Sequence, residues 1–473
     1  MQRGRVNTRK VDVAIIGAGA GGLTSAYTAR GFGKSVLLID KRRPGGECTW
    51  SGCIPSKTLI NHANDIYTSR QFADIKVDTA KVMQNVRKVT ENVYSGESIE
   101  VLKKDGIDFL TGTARFKSSR TIEVNGEEIN AKRIFICTGS SPMIPPIEGI
   151  NEVDILTNEN FFLQENLPES MIVLGAGAIG MEMAQALNRI GVTVDVVEMA
   201  DSILPSEDRE LSSILASLIE KEGVRIHIST KAIKIFRENN KVNVVMEGPD
   251  GSSVIAADKI LLALGRVPNM DGLELGNAGI KYTKKGIEVD RYLETSAKGV
   301  YAAGDVVGPY LFSHMANAQG IRAVQNAILP LKRKINYKNV VWCTFTSPEL
   351  ATAGMSETEA RKKYGDTIRV YKNSYDHIDR AKTKTDSSGM VKLILDKRGK
   401  VLGCTILGDN AGEIISEIQI VKTLGLKFSK LSGVLYPYPT YGEVFNKIGK
   451  KVQIDNLLNL PIVKIFRKQV KGT

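Results

Sequence analysis

Aromatic residues are scarce in this chain, at 6 % of 473 residues with two tryptophans. That leaves little for a stacking surface that reads single-stranded nucleic acid. No apolar run approaches the ~20 residues that cross a bilayer. No secretory signal is visible, because basic Met1–Lys10 leads through the short run VDVAII into a glycine loop. The five cysteines, at positions 48, 53, 137, 343 and 404, are too few and too scattered for a secreted disulfide scaffold. Histidine numbers four, with His62 nearest the close pair Cys48 and Cys53, so a metal clip there lacks a second pair of ligands. These absences point to a cytoplasmic enzyme with no resident metal.

Charge is in excess on one side. Lysine and arginine outnumber the acids 64 to 52, a formal +12. The basic residues are scattered, with local clusters at Met1–Lys10 and Lys464–Lys471, so no nucleic-acid partner is expected. Leu457–Phe466 followed by RKQVK is apolar with basic flanks. It is expected to pack on the body or on a second subunit, with peripheral membrane contact at most.

What is there is an internal repeat. Val11–Ile16 is a β-branched run, followed by Gly17-Ala18-Gly19-Ala20-Gly21-Gly22, a helical stretch to about Gly31, and the strand SVLLID ending at Asp40. Met171–Leu174 is followed likewise by Gly175-Ala176-Gly177-Ala178-Ile179-Gly180, a helix to about Ile190, and TVDVVE ending at Glu198. In both copies the acid stands 23 residues after the first glycine. One such glycine motif is weak, but two in the same strand–turn–helix–strand setting mark two dinucleotide sites. Gly17 and Gly175 would make the tight turns, Gly19 and Gly177 admit a pyrophosphate, and Gly22 and Gly180 let helix and strand close. Asp40 and Glu198 would accept hydrogen bonds from ribose hydroxyls.

GGECTWSGCIPSK, Gly45–Lys57, follows the first unit. Of a metal clip, a structural crosslink and a redox disulfide, the last is the reading that uses the neighbours. With FAD in one nucleotide site and a nicotinamide in the other, hydride would pass to the flavin and two electrons on to the disulfide. The thiolate so formed needs positive potential, from the helix start near Cys53 and from Lys57 on the same helix face.

At these residues the sequence resembles the class I pyridine nucleotide-disulfide oxidoreductases. These flavoprotein disulfide reductases include dihydrolipoamide dehydrogenase, glutathione reductase and mercuric reductase. The resemblance runs from about Val11 to about Lys450, through CTGSSP (137–142), LGRVPN (264–269), GVYAAGDVVG (299–308), FTSPELATAG (345–354) and LGCTILGDNAGEII (402–415). It implies an α/β homodimer with two Rossmann-like domains, for FAD and NAD, and a C-terminal α+β dimerisation domain. The expected spans are 1–149 and 271–338 for the FAD-binding and central parts, 150–270 for NAD, 339–455 for dimerisation and 456–473 for a basic amphipathic tail.

The same resemblance implies roles. Cys48 would be the interchange thiol and Cys53 the thiol beside the flavin, with Lys57 near the flavin edge and paired to Glu182. Asp305 would bond the ribityl chain. Lys41, Ala114, Thr138, Gly139, Ser140, Leu311 and His314 would line FAD, and Gly265 the nicotinamide nucleotide. Glu198 repels a 2′-phosphate, and Met199-Ala200-Asp201 brings no arginine to neutralise one, so NADH is expected over NADPH. One departure stands out. Where dihydrolipoamide dehydrogenase and glutathione reductase have a catalytic histidine five residues before a glutamate, this chain has Tyr438 before Glu443. The histidine titrates near neutrality and shuttles a thiol proton, whereas a tyrosine is mostly an uncharged donor. Three acceptors follow: a small thiol or disulfide, as in dihydrolipoamide dehydrogenase; a metal ion or quinone, with mercuric reductase as the metal-ion case; or lipoyl domains of a larger complex.

Overall fold

Both glycine repeats fold as strand, turn, helix and strand. Strand Thr8–Ile16, helix Ala20–Gly31 and strand Val36–Asp40 make the first. Strand Ser170–Leu174, helix Ala178–Ile190 and strand Thr193–Val197 make the second. The strands run parallel, with Val13 opposite Val36 and Thr193 opposite Ser170. Covered on both faces, they carry consecutive apolar residues, VAII, VLLI and MIVL, with Asp195 buried within TVDVV. Val13, Ala14 and Ile15 are buried, as are Ile172 and Val173. This computed structural model describes residues 8–384, 388–460 and 463, so most of the stretch 456–473, the expected amphipathic tail, lies outside the described residues.

The first sheet has seven strands. Ile107–Thr111, Val36–Asp40, Thr8–Ile16, Glu127–Ile136 and Val300–Ala302 run parallel. Thr121–Val124 and Ala114–Ser118 extend it antiparallel. The second sheet is parallel throughout, in the order Arg225–His227, Thr193–Val197, Ser170–Leu174, Lys259–Leu262, Ile155–Leu156. A five-stranded antiparallel sheet follows from Val341–Thr344 onward, with helices Ala411–Thr423 and Glu443–Leu458 beside it. The fold class is therefore α/β, with two nucleotide-type sheets and a C-terminal α+β domain.

Some elements differ from the sequence reading. DFLTGTARF (108–116) reads in the sequence as one strand; it forms two, because the chain turns at Gly112, where a Cβ would sit 2.5 Å from Val124 Cγ1. The antiparallel meander Lys231–Glu238, Lys241–Gly248, Gly251–Ala257 was not anticipated. Its alternating strands cover one face of the second sheet through Ile235, Val242 and Val244.

Two packings position the redox segment, and a third seats the second nucleotide unit on the C-terminal sheet. Gly46, at φ +60°, lies so close to the first glycine loop that a Cβ there would be 2.4 Å from Gly19 Cα. Helix Cys53–Ser69 shares one core with helix Ala178–Ile190, through Leu59, Ile60, Met181 and Ala184. The segment Glu207–Glu210 docks on the C-terminal sheet: Glu207 accepts from Trp342 and Thr352, and Asp208 from buried Lys392. Among the described residues no helix is long and apolar enough to cross a membrane.

Gly46→Ala should push the redox segment off the nucleotide loop. The left-handed backbone alone costs about 1–3 kcal/mol for a residue with a Cβ. The variant should purify with less than one flavin per chain and a lowered melting temperature. Full flavin content with an unshifted melt would remove this contact from the account.

Candidate active site

The two glycine loops are the starting point. A Cβ on Gly17 would meet Cys137 O at 2.2 Å, and one on Gly175 would meet Ala263 O at 2.5 Å. On Gly22 and Gly180 it would meet the carbonyl of the first glycine, at 1.8 Å and 1.9 Å. Protein packing therefore dictates the outer glycines. The middle ones are different: Gly177 has no other atom within 4 Å of such a Cβ, and Gly19 has only Gly46 Cα, at 3.7 Å. Their backbone is left open for another group to approach, which is what a pyrophosphate at a helix N-terminus requires. The chain's residues thus fit two dinucleotides.

Asp40 and Glu198 occupy matching places. Asp40 Oδ2 accepts from the Ala18 amide at 2.7 Å and Oδ1 from Arg42 at 2.9 Å. Glu198 Oε2 accepts from the Ala176 amide at 2.7 Å and Oε1 from Ala200 at 2.8 Å. Each acid braces its own glycine turn. Lys41 is exposed beside Asp40, and Ala114 is buried at the start of its strand, close to the Gly112 amide that bonds Asp40 O. Near Glu198 the fold brings an arginine that local sequence did not show: Arg209, held by Asp201 at 2.7 Å.

Cys48 lies in the short helix Gly46–Trp50, and Cys53 opens helix Cys53–Ser69. Both are free thiols. The Cys48 thiol donates toward Cys53, Ser313 Oγ stands 3.5 Å from Cys53 Sγ, and Lys57 adds positive charge. Together these hold Cys53 down at about 6, against its burial. Cys48 is pushed far up by the same hydrogen bond and by burial. The pair is therefore one thiolate and one thiol. Lys57 Nζ donates to Glu182 Oε2 at 2.7 Å and lies 4.6 Å from the Phe345 ring centroid. Glu182 Oε1 accepts from the Phe345 amide at 2.8 Å. The carboxylate is buried from the second nucleotide unit's helix, so the ion pair joins the dithiol to that unit.

Behind the dithiol, four separate stretches meet. Ser140 Oγ donates to Asp305 Oδ2 at 2.6 Å and accepts from Arg266 Nε at 2.7 Å. Arg266 also pairs with Glu47, whose other oxygen accepts from Asn158 at 2.9 Å. Burial raises Glu47 to about 7 despite Arg266, helped by the charges of Asp305 and Cys53. Thr138 and Asn269 exchange side-chain to backbone bonds at 2.6 and 3.0 Å. Gly139 and Gly265 both take positive φ, and the Gly265 carbonyl accepts from Met143 at 2.9 Å. Glu47, Arg266, Asn269 and Ser313 were not singled out in the sequence, although three lie inside quoted motifs. Their partners are more than a hundred residues away, which local pattern does not carry.

Leu311 and His314 lie in the stretch that carries Ser313, whereas Tyr438 and Glu443 are placed on another domain. Leu311 is exposed, and the His314 ring stacks on Phe312 with centroids 5.3 Å apart. Tyr438 and Glu443 sit on the C-terminal domain: Tyr438 bonds Asp379 at 3.1 Å, and Glu443 Oε1 is 3.3 Å from Lys447. Among the described residues no group of three or more His, Cys, Asp and Glu could hold a metal ion.

Comparison with known proteins places this geometry. Residues 11–330 match the family model for pyridine nucleotide-disulphide oxidoreductases, and residues 340–448 match its dimerisation domain. The chain is 35 % identical to a dihydrolipoyl dehydrogenase of Thermus scotoductus, covering 91 % of this chain and 95 % of that protein. It is 31 % identical to a mercuric reductase of Staphylococcus aureus, covering 91 % and 80 %. Among solved structures it is similar to the Cu(II) complex of the HOCl-induced flavoprotein disulfide reductase RclA from Escherichia coli. That match has a TM-score of 0.86 and 30 % identity, over 94 % of this chain and all of that one.

In the reduced protein, thiolate absorbance near 240 nm should titrate with a midpoint at about 6 and disappear in Cys53→Ser. Ser313→Ala and Lys57→Met should both move that midpoint upward. An ordinary thiol midpoint of ~8.5 in the parent protein would mean that these groups do not stabilise Cys53.

Proposed function

The chain belongs to the pyridine nucleotide-disulphide oxidoreductases, FAD-dependent and NAD(P)H-using, and on that premise we propose that it carries electrons from NADH through Cys48 and Cys53 to a sulfur-bound acceptor. The observation that carries this reading is the setting of the pair: Cys53 opens a helix with Ser313 Oγ 3.5 Å from its sulfur, and Lys57, on the same helix face, is paired at 2.7 Å to buried Glu182. Gly17–Gly22, Asp40, Thr138–Ser140 and Asp305 would hold FAD, and Gly175–Gly180 with Glu198 and Gly265 would hold the nicotinamide nucleotide. When bound, FAD accepts hydride from the reduced nicotinamide and passes two electrons to the disulfide.

The chain's own residues do the rest. Opening the Cys48–Cys53 bond with two electrons and one proton leaves a thiolate on Cys53 and a thiol on Cys48. Lys57, steadied by Glu182, offsets the Cys53 charge, with Ser313 as a further hydrogen-bond partner. Cys48 then attacks one sulfur of the outside disulfide as its own proton passes to Cys53, which already accepts its hydrogen bond; the outside S–S bond breaks and the first thiolate leaves, taking a proton from solvent. Cys53 next attacks Cys48, restoring the Cys48–Cys53 bond, and its proton goes to the second departing thiolate. Glu198 favours NADH; Arg209 is nearby but occupied by Asp201. The dimerisation-domain match supports a homodimer, in which we place Tyr438 and Glu443 opposite the partner's dithiol. Five scattered cysteines, with one close pair, suit a reducing compartment such as the cytoplasm.

A small disulfide is the first acceptor to try, free or on a lipoyl domain. Tyr438 favours a second reading, reduction of a thiolate-bound metal ion, since a metal needs a ligand where a disulfide needs a proton shuttle. The Cu(II) complex of the similar reductase is consistent with it.

A substrate panel on the purified flavoprotein tests both: NADH or NADPH oxidation with lipoamide, Hg(II) or Cu(II) thiolate complexes, a quinone and oxygen. NADH should be preferred; equal catalytic efficiency with NADPH overturns that part. Tyr438→His should raise lipoamide turnover by about 100-fold, the usual worth of a placed general base. Efficient lipoamide turnover by the parent protein, unchanged in Tyr438→His, means that the proton is handled elsewhere.

A further inference from the structure

Tyr438 is 71 % exposed, yet its hydroxyl is not free to turn. It donates to Asp379 Oδ2 at 3.1 Å, and Asp379 opens the short helix Asp379–Lys382, far back in the chain. Lys382 Nζ lies 3.0 Å from the other oxygen, Oδ1. These two bonds hold Asp379 below the ordinary carboxylate range, and the same bond to Asp379 holds the Tyr438 phenol above its own. Among the described residues, the remaining charged groups that face the pair are Glu443 and Lys447, and Lys447 bridges Glu443 Oε1 and the His377 carbonyl, at 3.3 and 2.7 Å.

A carboxylate only accepts, so the phenolic proton is directed at Asp379. What the hydroxyl turns outward is an oxygen lone pair. The proton does not leave either, because an aspartate is a far weaker base than a phenolate. A tyrosine held in this way does not take up and return a thiol proton. It can coordinate a cation or accept an S–H.

We propose that Asp379 is a positioning residue that fixes Tyr438 as a neutral oxygen acceptor, and thereby suits this face to a thiolate-bound metal cation rather than a disulfide. This rests on the reading that Tyr438 faces the partner's dithiol.

The test uses the FAD-loaded dimer with Asp379→Leu, Tyr438→Phe and the double variant. Phenolate absorbance near 295 nm, taken as each protein minus its Tyr438→Phe counterpart, isolates the ionisation of Tyr438. Its midpoint should fall in Asp379→Leu, because the charge and the acceptor that disfavour phenolate are both gone. With Hg(II) presented as its cysteine complex, kcat/KM should fall about 10-fold in Asp379→Leu, the lower end of what loss of a ligand-orienting partner costs. With lipoamide it should not fall. The double variant should lose no more than Tyr438→Phe alone. An unmoved phenol midpoint overturns the hold of Asp379 on Tyr438. A midpoint that moves while Hg(II) turnover is the same in all three variants overturns the selectivity, and with it the placement of Tyr438 at the dithiol.

Discussion

The ion pair between Lys57 and Glu182 is the constraint on which the arrangement turns. Glu182 is buried in the helix of the second nucleotide unit, and a buried carboxylate must find a partner. Lys57 supplies it from the helix that Cys53 begins. One contact therefore sets the distance between the two nucleotide units, fixes the rotation of the dithiol helix, and places a cation beside the sulfur that carries charge. The Phe345 amide, on the C-terminal domain, completes the carboxylate's shell, so all three domains meet at one side chain.

Much of this was legible in the chain. Two glycine motifs with acids at the same spacing give two parallel sheets, because turn, helix start and buried strand are local requirements that local residues meet. Cys53 and Lys57 share a helix face by periodicity alone. The Glu47–Arg266–Ser140–Asp305 network was not legible, since its members come from four stretches joined only by folding. The meander Lys231–Ala257 escaped for another reason: its exposed lysines and glutamates mask an alternation seen only once Ile235, Val242 and Val244 are known to face inward. Arg209 is the same lesson in small, eight residues beyond Asp201 in sequence and bonded to it in space.

Tyr438 shows how a single position can matter more than overall likeness. Relatives with different acceptors align with this chain at similar identity over most of its length. Electron entry is common ground, built from glycine loops, a helix start and an ion pair. On the proposed reading, the acceptor is selected on the C-terminal domain, where Tyr438 is tied to a carboxylate.

The two acids at the ends of Val36–Asp40 and Thr193–Val197 have a kinetic meaning as well. Each grips the amide of its own glycine turn. The protein's own bonds thus hold the turns in shape, and a held turn leaves less chain for a ligand to order on association. On such turns, differences in affinity between nucleotides should be expressed mainly as differences in how long each one stays.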